Sequence, residues 1–269
     1  MVFLFKVMIP RVMTVASTDS GGGAGVMADL KTFTAMKVFG TAVIVSLTAQ
    51  NSVSVKSIYE LPLNFIDDQF DEILDDIGTD SAKTGMLYSS SIIDEVASKF
   101  TQYSVKNIVV DPVMISKTNV RLLKDDAIGT MVNKLMKIAY LITPNIPEAQ
   151  ILSDVKIQDR NDIKSAAKSI YEKIGTNILI KGGHSSSYYS DDLLYNGEEF
   201  FNFKNKRIDT KNTHGTGDTL SASIASYLAH GYNLNESIKL AKKYIEGAIK
   251  NSFPMGKGYG PLNQFWVIK

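Results

Sequence analysis

The segment Thr213-His214-Gly215-Thr216-Gly217-Asp218 sets two glycines and an acid ahead of an amphipathic run with Leu220, Ile224, Tyr227 and Leu228. Glycines at this spacing let consecutive backbone N–H groups converge as a nest for developing negative charge. Asp218 has two compatible readings. It is an N-cap for the following helix, or a carboxylate placed to take a proton. The tight flanking by glycine favours the second. A further glycine-rich turn, Ala16-Ser17-Thr18-Asp19-Ser20-Gly21-Gly22-Gly23-Ala24-Gly25, leads from a strand into a helix bearing Asp29 and Lys31. Its glycines permit positive φ and close backbone approach, and the helix start offers free N–H groups to an anion or polar ligand. It is not a Walker loop, because no Gly-Lys-Ser/Thr follows.

Three more segments stand just after apolar runs. Asp111-Pro112-Val113-Met114 and Thr143-Pro144-Asn145-Ile146-Pro147-Glu148-Ala149 each bring an acid to a strand end. There a carboxylate can hold Mg²⁺ directly or through water, and can equally cap a helix or close a turn. Lys181-Gly182-Gly183-His184 can lie along a nucleotide phosphate or ribose. His184 and His214 have no partner at metal-ligand spacing, so no zinc site is expected.

The elements that must position these groups alternate. Residues 11–16, 39–49, 107–111, 138–142 and 177–181 are continuous apolar runs that read as buried strands of a parallel sheet. Between them lie helical stripes: Ile66, Phe70, Ile73, Leu74, Ile77; then Ile163, Ala166, Ala167, Ile170, Tyr171, Ile174; then Ile238, Ala241, Tyr244, Ile245, Ala248. These stripes are core. Asn233 with Glu236 reads as a capping box, and Gly231 as the stop of the helix before it. Asn196-Gly197 predicts a type I′ hairpin, and the alternation over 51–60 predicts a small flap. Strand–helix alternation implies right-handed crossovers and an open sheet that binds ligands at the carboxyl ends of its strands.

Bulk composition narrows the class. The 269 residues suit one large α/β unit, with residues 1–10 as an extension feeding the first strand. Basic and acidic side chains nearly cancel, 29 against 28, which argues against a nucleic-acid binder. No cysteine is present, which removes disulfides, thiolate catalysis and Cys-based metal sites and fits a reducing, cytoplasmic setting. No apolar run is long enough to span a bilayer, and residues 1–10 lack the features of a signal peptide.

Seven blocks in order carry a resemblance: ASTDSGGGAGVMADLKTF, SLTAQNS, AKTGML, VVDPVM, LITPNIPEA, LIKGGH and NTHGTGDTLSASIASYLAHG. Over about residues 11–262 the chain resembles the hydroxymethylpyrimidine/phosphomethylpyrimidine kinases of the ribokinase-like superfamily. The resemblance implies a three-layer α/β/α fold with a mostly parallel sheet and a β flap. It implies phosphorylation of 4-amino-5-hydroxymethyl-2-methylpyrimidine and then of its monophosphate, with ATP and Mg²⁺, in thiamin synthesis, by a cytoplasmic homodimer. By position, Gln50 would read the pyrimidine's amino group and ring nitrogen, an amide offering donor and acceptor side by side. Ser17, Asp29, Met86 and Val113 would line that pocket. Asn145, Glu148 and Asp111 would serve the Mg²⁺–phosphate region. Lys181, Gly183 and Thr213 would lie toward the nucleotide. Gly215, Thr216 and Gly217 would form the anion hole beside Asp218.

Three departures stand out. Ser17 replaces the family's usual glycine, Asp218 its usual cysteine, and Ser116-Lys117-Thr118-Asn119-Val120 its usual Gly- and acid-bearing lid. A pyridoxal kinase of the same branch is the alternative, although the lid cysteine of some of those enzymes is missing. A sugar kinase lacks recognisable substrate-end acids. A non-catalytic thiamin-pathway regulator would be expected to lose either the glycine loop or the acid.

Overall fold

The computed structural model describes residues 8–114, 122–124, 126–182 and 189–268. The strands are β1 (Arg11–Ala16), β2 (Phe39–Ile44), β3 (Ser46–Gln50), β4 (Val55–Glu60), β5 (Ser81–Thr84), β6 (Ile108–Val110), β7 (Leu141–Ile142), β8 (Asn177–Ile180), β9 (Tyr189–Tyr195) and β10 (Phe200–Lys206). The helices are α1 (Gly25–Ala35), α2 (Leu63–Glu72), α3 (Ser90–Gln102), α4 (Ala127–Thr130), α5 (Ile146–Ser153), α6 (Arg160–Ile174), α7 (Thr216–Ala229) and α8 (Leu234–Lys250).

Eight strands form one sheet in the order β10-β9-β8-β7-β6-β5-β1-β2. From β2 to β8 every pairing is parallel; β9 and β10 add an antiparallel hairpin at one edge. Alternate strand residues face opposite layers, as the two-residue period demands. Ile108 and Val110 pack with α2, α3, α5 and α6, whereas Val109 packs with α1, α7 and α8. The same alternation divides Ile178 and Ile180 from Leu179. This is the expected three-layer arrangement. The strand order reverses between β1 and β5, and the crevice outside the carboxyl ends of those two strands is where such sheets bind ligands.

Three local expectations are corrected. The apolar run 39–49 is two strands. Its first part pairs with β1 as far as Ile44, and its second leaves the sheet to pair antiparallel with β4 as the flap. Continuous apolarity hides this change because Leu47, on the flap, is 44% exposed. The β9–β10 hairpin exists, but Tyr195 pairs with Phe200, leaving a four-residue loop. The Asn196 side chain accepts from the N–H groups of Glu198 and Glu199, an Asx turn in place of a type I′ turn. Only half of the expected capping box forms at α8: Asn233 accepts from the Glu236 N–H at 3.0 Å, with no reciprocal bond. Gly231 does end α7, at φ 87°.

Candidate active site

β1 ends at Ala16, and the chain turns through Ser17–Ala24 into α1. The free N–H groups expected in this glycine-rich turn are taken internally. Asp19 accepts from Gly21 N at 2.8 Å, Gly23 N at 3.0 Å and Ala24 N at 2.9 Å, folding its carboxylate into the nest made by its own loop. His214 adds its Nε2 to the same carboxylate at 2.8 Å. Burial alone would raise the Asp19 pKa; His214 and the loop N–H groups outweigh it, so the carboxyl is held below its usual range. His214 lies against Gly23, where any side chain would collide with the ring. The two glycine loops are thereby tied together.

Asp218 is not the N-cap of α7. Gly215 is, at φ 81°, and a Cβ there would strike the Gly23 carbonyl. Asp218 stands one turn in and turns its carboxylate to Lys83 Nζ, 2.9 Å away. Lys83, on β5, is fully buried and also bonds both oxygens of Asp29, at 3.0 and 2.9 Å. Asp29 is itself fully buried on α1 and accepts from Thr14 Oγ1 at 2.6 Å. The result is a chain Thr14–Asp29–Lys83–Asp218 across the β1/β5 crevice. Burial pushes the Asp218 pKa up, but the Lys83 cation and the backbone of Gly25 pull it down further, so it is held below the ordinary carboxylate value. Burial likewise opposes the charge on Lys83, and its flanking carboxylates overcome that, which raises its pKa. Desolvation is the main reason that Asp29 is pushed up to about 7.

A second charged cluster sits over β6, β7 and β8. Lys181 Nζ lies 2.7 Å from Asp111, and Thr143 Oγ1 donates to the same oxygen at 3.2 Å. Asn145 and Glu148 form a complete capping box at the start of α5: Glu148 N donates to Asn145 at 2.9 Å, and Asn145 N to Glu148 at 2.8 Å. The other Glu148 oxygen accepts from Met114 N at 3.4 Å. Burial, reinforced by the charge of Asp111, pushes Glu148 up to about 7. Gly217, next to Asp218 in the chain, lies against this cluster: a Cβ there would come within 3.1 Å of Asp111 and 3.5 Å of Lys181. Behind Lys181, the Gly182 N–H donates to the buried Asp192, which Lys242 of α8 neutralises at 2.6 Å.

The remaining expected residues fall as follows. Ser17 is buried, with its hydroxyl on Ser46 Oγ and on the Met86 carbonyl at 3.0 Å. Met86, two residues beyond β5, is buried, and Val113, three residues beyond β6, is half-buried. Gln50, at the end of β3, is half-buried, with its amide 3.4 Å from His214 Nε2. Thr213 accepts at its carbonyl from the Thr216 hydroxyl at 2.6 Å. Gly183, His184 and the segment 116–120 lie outside the described residues. Sequence reasoning passed over Lys83, Asp19 and Thr14. The available signal was a lysine inside Ser-Ala-Lys-Thr, a strand buried at every position, because a lysine there demands a buried acid.

Among the described residues no cluster of three or more His, Cys, Asp or Glu could cage a metal. Asp111 and Glu148 nevertheless fit Mg²⁺, which takes one or two protein carboxylates and completes its shell with water and phosphate oxygens. They are two buried acids facing one lysine, and a second cation would relieve that imbalance.

Residues 19–263 match the family model described as phosphomethylpyrimidine kinase. The chain is 38% identical to the hydroxymethylpyrimidine/phosphomethylpyrimidine kinase of Bacillus subtilis, covering 96% of this chain and 95% of that one. It is 44% identical to the thiamine biosynthesis bifunctional protein ThiED of Geobacter sulfurreducens, over 98% of this chain but only 54% of that longer protein. An ADP complex of Bacillus subtilis pyridoxal kinase superposes with a TM-score of 0.89 at 35% identity, covering 96% of this chain and 98% of that one. With this fold and these matches, the chain belongs to the phosphomethylpyrimidine kinase family.

Proposed function

We propose that this chain transfers the γ-phosphoryl group of ATP to the alcohol of 4-amino-5-hydroxymethyl-2-methylpyrimidine and then to the monophosphate so formed, supplying the pyrimidine diphosphate for thiamin synthesis. The observation that carries this is one short loop with both functions on it. His214 at its start touches Gln50, the amide suited to reading the ring, and Asp218 at its end is the carboxylate suited to the hydroxyl. Residues 215–217 between them open α7, whose first-turn N–H groups lack intrahelical partners.

In this reading the pyrimidine hydroxyl faces Asp218. Its oxygen forms the new bond to the γ-phosphorus, the bond from that phosphorus to the bridging oxygen of ADP breaks, and the proton passes to the Asp218 carboxylate. The transition state of phosphoryl transfer is loose, so positioning and charge stabilisation outweigh basicity. That suits a carboxylate kept ionised by Lys83. The N–H groups of residues 215–217 stabilise the charge on the phosphoryl oxygens. Lys181 orients the nucleotide phosphates, with Thr213 and Gly183 alongside. Asp111 and Glu148, with Asn145 fixing the latter, would hold Mg²⁺, which neutralises phosphate charge. Ser17, Met86 and Val113 shape the ring end, to which the enclosed Asp29 contributes only through Lys83.

The proposal includes a cytoplasmic homodimer acting on small molecules alone. Among the described residues no helix is long and apolar enough to cross a membrane. The likeness to pyridoxal kinase makes pyridoxal phosphorylation the second reading. A product assay by mass decides between them: the pyrimidine alcohol, its monophosphate and pyridoxal are supplied side by side with ATP and Mg²⁺. Diphosphate from the first two supports the proposal; phosphate on pyridoxal alone overturns it.

A further inference from the structure

Asp19, His214 and Thr48 form a relay around Gln50 whose donors and acceptors run in one direction only. The Asp19 carboxylate already accepts three backbone N–H groups from Gly21, Gly23 and Ala24. It is held ionised, so it can only accept from His214. His214 Nε2, 2.8 Å from Asp19, therefore carries a hydrogen. The same Nε2 is 3.4 Å from one end of the Gln50 amide. At the other end stands Thr48 Oγ1, also 3.4 Å away. The Thr48 hydroxyl gives its own hydrogen to the Thr18 carbonyl at 2.8 Å, so toward Gln50 it can only accept.

The two ends of a side-chain amide are told apart by the network around them. Here both neighbours agree. A protonated Nε2 has no lone pair to accept an amide N–H, and its one hydrogen, held chiefly by Asp19, can be shared only with the amide oxygen; a lone pair at Thr48 calls for the amide nitrogen. The structure has the nitrogen toward His214 and the oxygen toward Thr48, and the network favours the reverse order. Each end then keeps one group for a ligand, a lone pair on Oε1 and a hydrogen on Nε2, in fixed order.

We infer that Asp19 and His214 are positioning residues that fix the order in which Gln50 presents acceptor and donor, so that the site selects rings with an exocyclic amine beside an unprotonated ring nitrogen. A ring with a carbonyl beside a ring N–H presents the reverse order, and it meets donor against donor and acceptor against acceptor. The inference rests on the reading of Gln50 given above. Thr18, whose carbonyl orients Thr48, precedes Asp19 directly, so the glycine-rich turn after β1 supplies both ends of the relay.

The test compares kcat/KM for the 4-amino alcohol with that for 5-hydroxymethyl-2-methylpyrimidin-4-one. Both share the reacting alcohol, so the ratio cancels any loss of chemistry in the loop. His214→Phe keeps the ring and removes the donor; Asp19→Asn keeps one of the two acceptors for the loop N–H groups and removes the charge that fixes the imidazole tautomer. Each is expected to lower the amino-over-oxo ratio by about tenfold or more, the scale of one hydrogen-bonded group. An unchanged ratio in either folded variant overturns the inference. Should both variants fail to fold, ¹⁵N NMR of His214 in the wild-type protein still decides: a protonated Nε2 supports the relay, and a neutral Nδ1–H tautomer ends it. Gln50→Leu separates this from the parent reading. If that variant leaves KM for the amino alcohol unchanged, Gln50 does not read the ring; if it raises KM while His214→Phe leaves the ratio alone, only the relay fails.

Discussion

A lysine without exposed surface has to be paired, and Lys83 spends its charge on two acids of different kinds. Asp29 is enclosed on all sides, whereas the Asp218 side chain keeps 16% of its surface open. The second is therefore the one a substrate can reach. Asp218→Ala is expected to lower kcat on the pyrimidine alcohol by about 10²–10⁴-fold. A loss under about threefold with the fold intact would make Asp218 a structural partner of Lys83 and nothing more. The same residue bears on the second phosphorylation, whose acceptor is a phosphomonoester with a pKa near 6, mostly a dianion at neutral pH. A carboxylate about 4 Å from one such charge would be repelled by roughly 4 kcal/mol at an effective dielectric of 20. The family's usual cysteine avoids that repulsion. Lys83, 2.9 Å from Asp218, offsets part of it and gives the acid a place in a site that must accept an anion. Asp218→Cys should shift the ratio of kcat/KM toward the monophosphate by several-fold, at some loss on the alcohol. An identical ratio in both proteins at one pH and Mg²⁺ concentration would show that charge at position 218 does not govern the second step.

At the scale of elements, α5 opens on a residue asked to do two jobs. Glu148 completes the capping box with Asn145 and also faces Asp111 and Lys181. Burial pushes its pKa up to about 7 from an ordinary 4.5. The native state thus holds this proton more tightly than the unfolded chain. The associated stability is fully present below about pH 4.5 and is lost as pH rises through about 7; it amounts to about 3 kcal/mol at most. Glutamine keeps the capping box without the charge. Glu148→Gln should therefore gain on the wild type in urea midpoint as pH goes from 5 to 7.5, while needing more Mg²⁺ for activity. An equal difference at both pH values would mean that Glu148 ionises normally. The strands on either side of β7, which leads into α5, were legible because β6 and β8 are apolar runs with few interpretations. β5 was not, because Ser-Ala-Lys-Thr has no apolar signature and owes its burial to partners far away in the chain. The run 39–49 misled for the opposite reason: apolar continuity does not record a change of sheet. The glycine loops were legible as loops. That Asp19 fills one of them could not be read, because an N–H nest does not say which carboxylate enters it, and a neighbouring residue competes well with any ligand.

For the whole molecule, the flap is the part that the sheet does least to support. β3 and β4 pair only with each other, in a two-stranded sheet outside the main one. Such a ribbon is marginal alone and gains from a further surface against its face. Leu47 and Tyr59 are cross-strand partners in it, 44% and 65% exposed, and so point to the same side. Phe65, at the start of α2 just beyond β4, is 52% exposed. Three large apolar side chains along one short stretch of fold are more than scattered surface residues require. They support the proposed homodimer, with this flap and the start of α2 at its interface. The arrangement has a consequence for the site, since β3 ends on Gln50. Ordering the flap in a dimer would hold the ring-reading amide in place, and dilution to monomer would loosen it. The double variant Leu47→Lys, Phe65→Glu should elute as a monomer in size-exclusion chromatography with light scattering. It should also raise KM for the pyrimidine several-fold while KM for ATP, bound over β6–β8 in this reading, stays nearly constant. Retention of a dimer would move the interface elsewhere. A monomer with unchanged KM would show that the flap holds Gln50 without help from a second subunit.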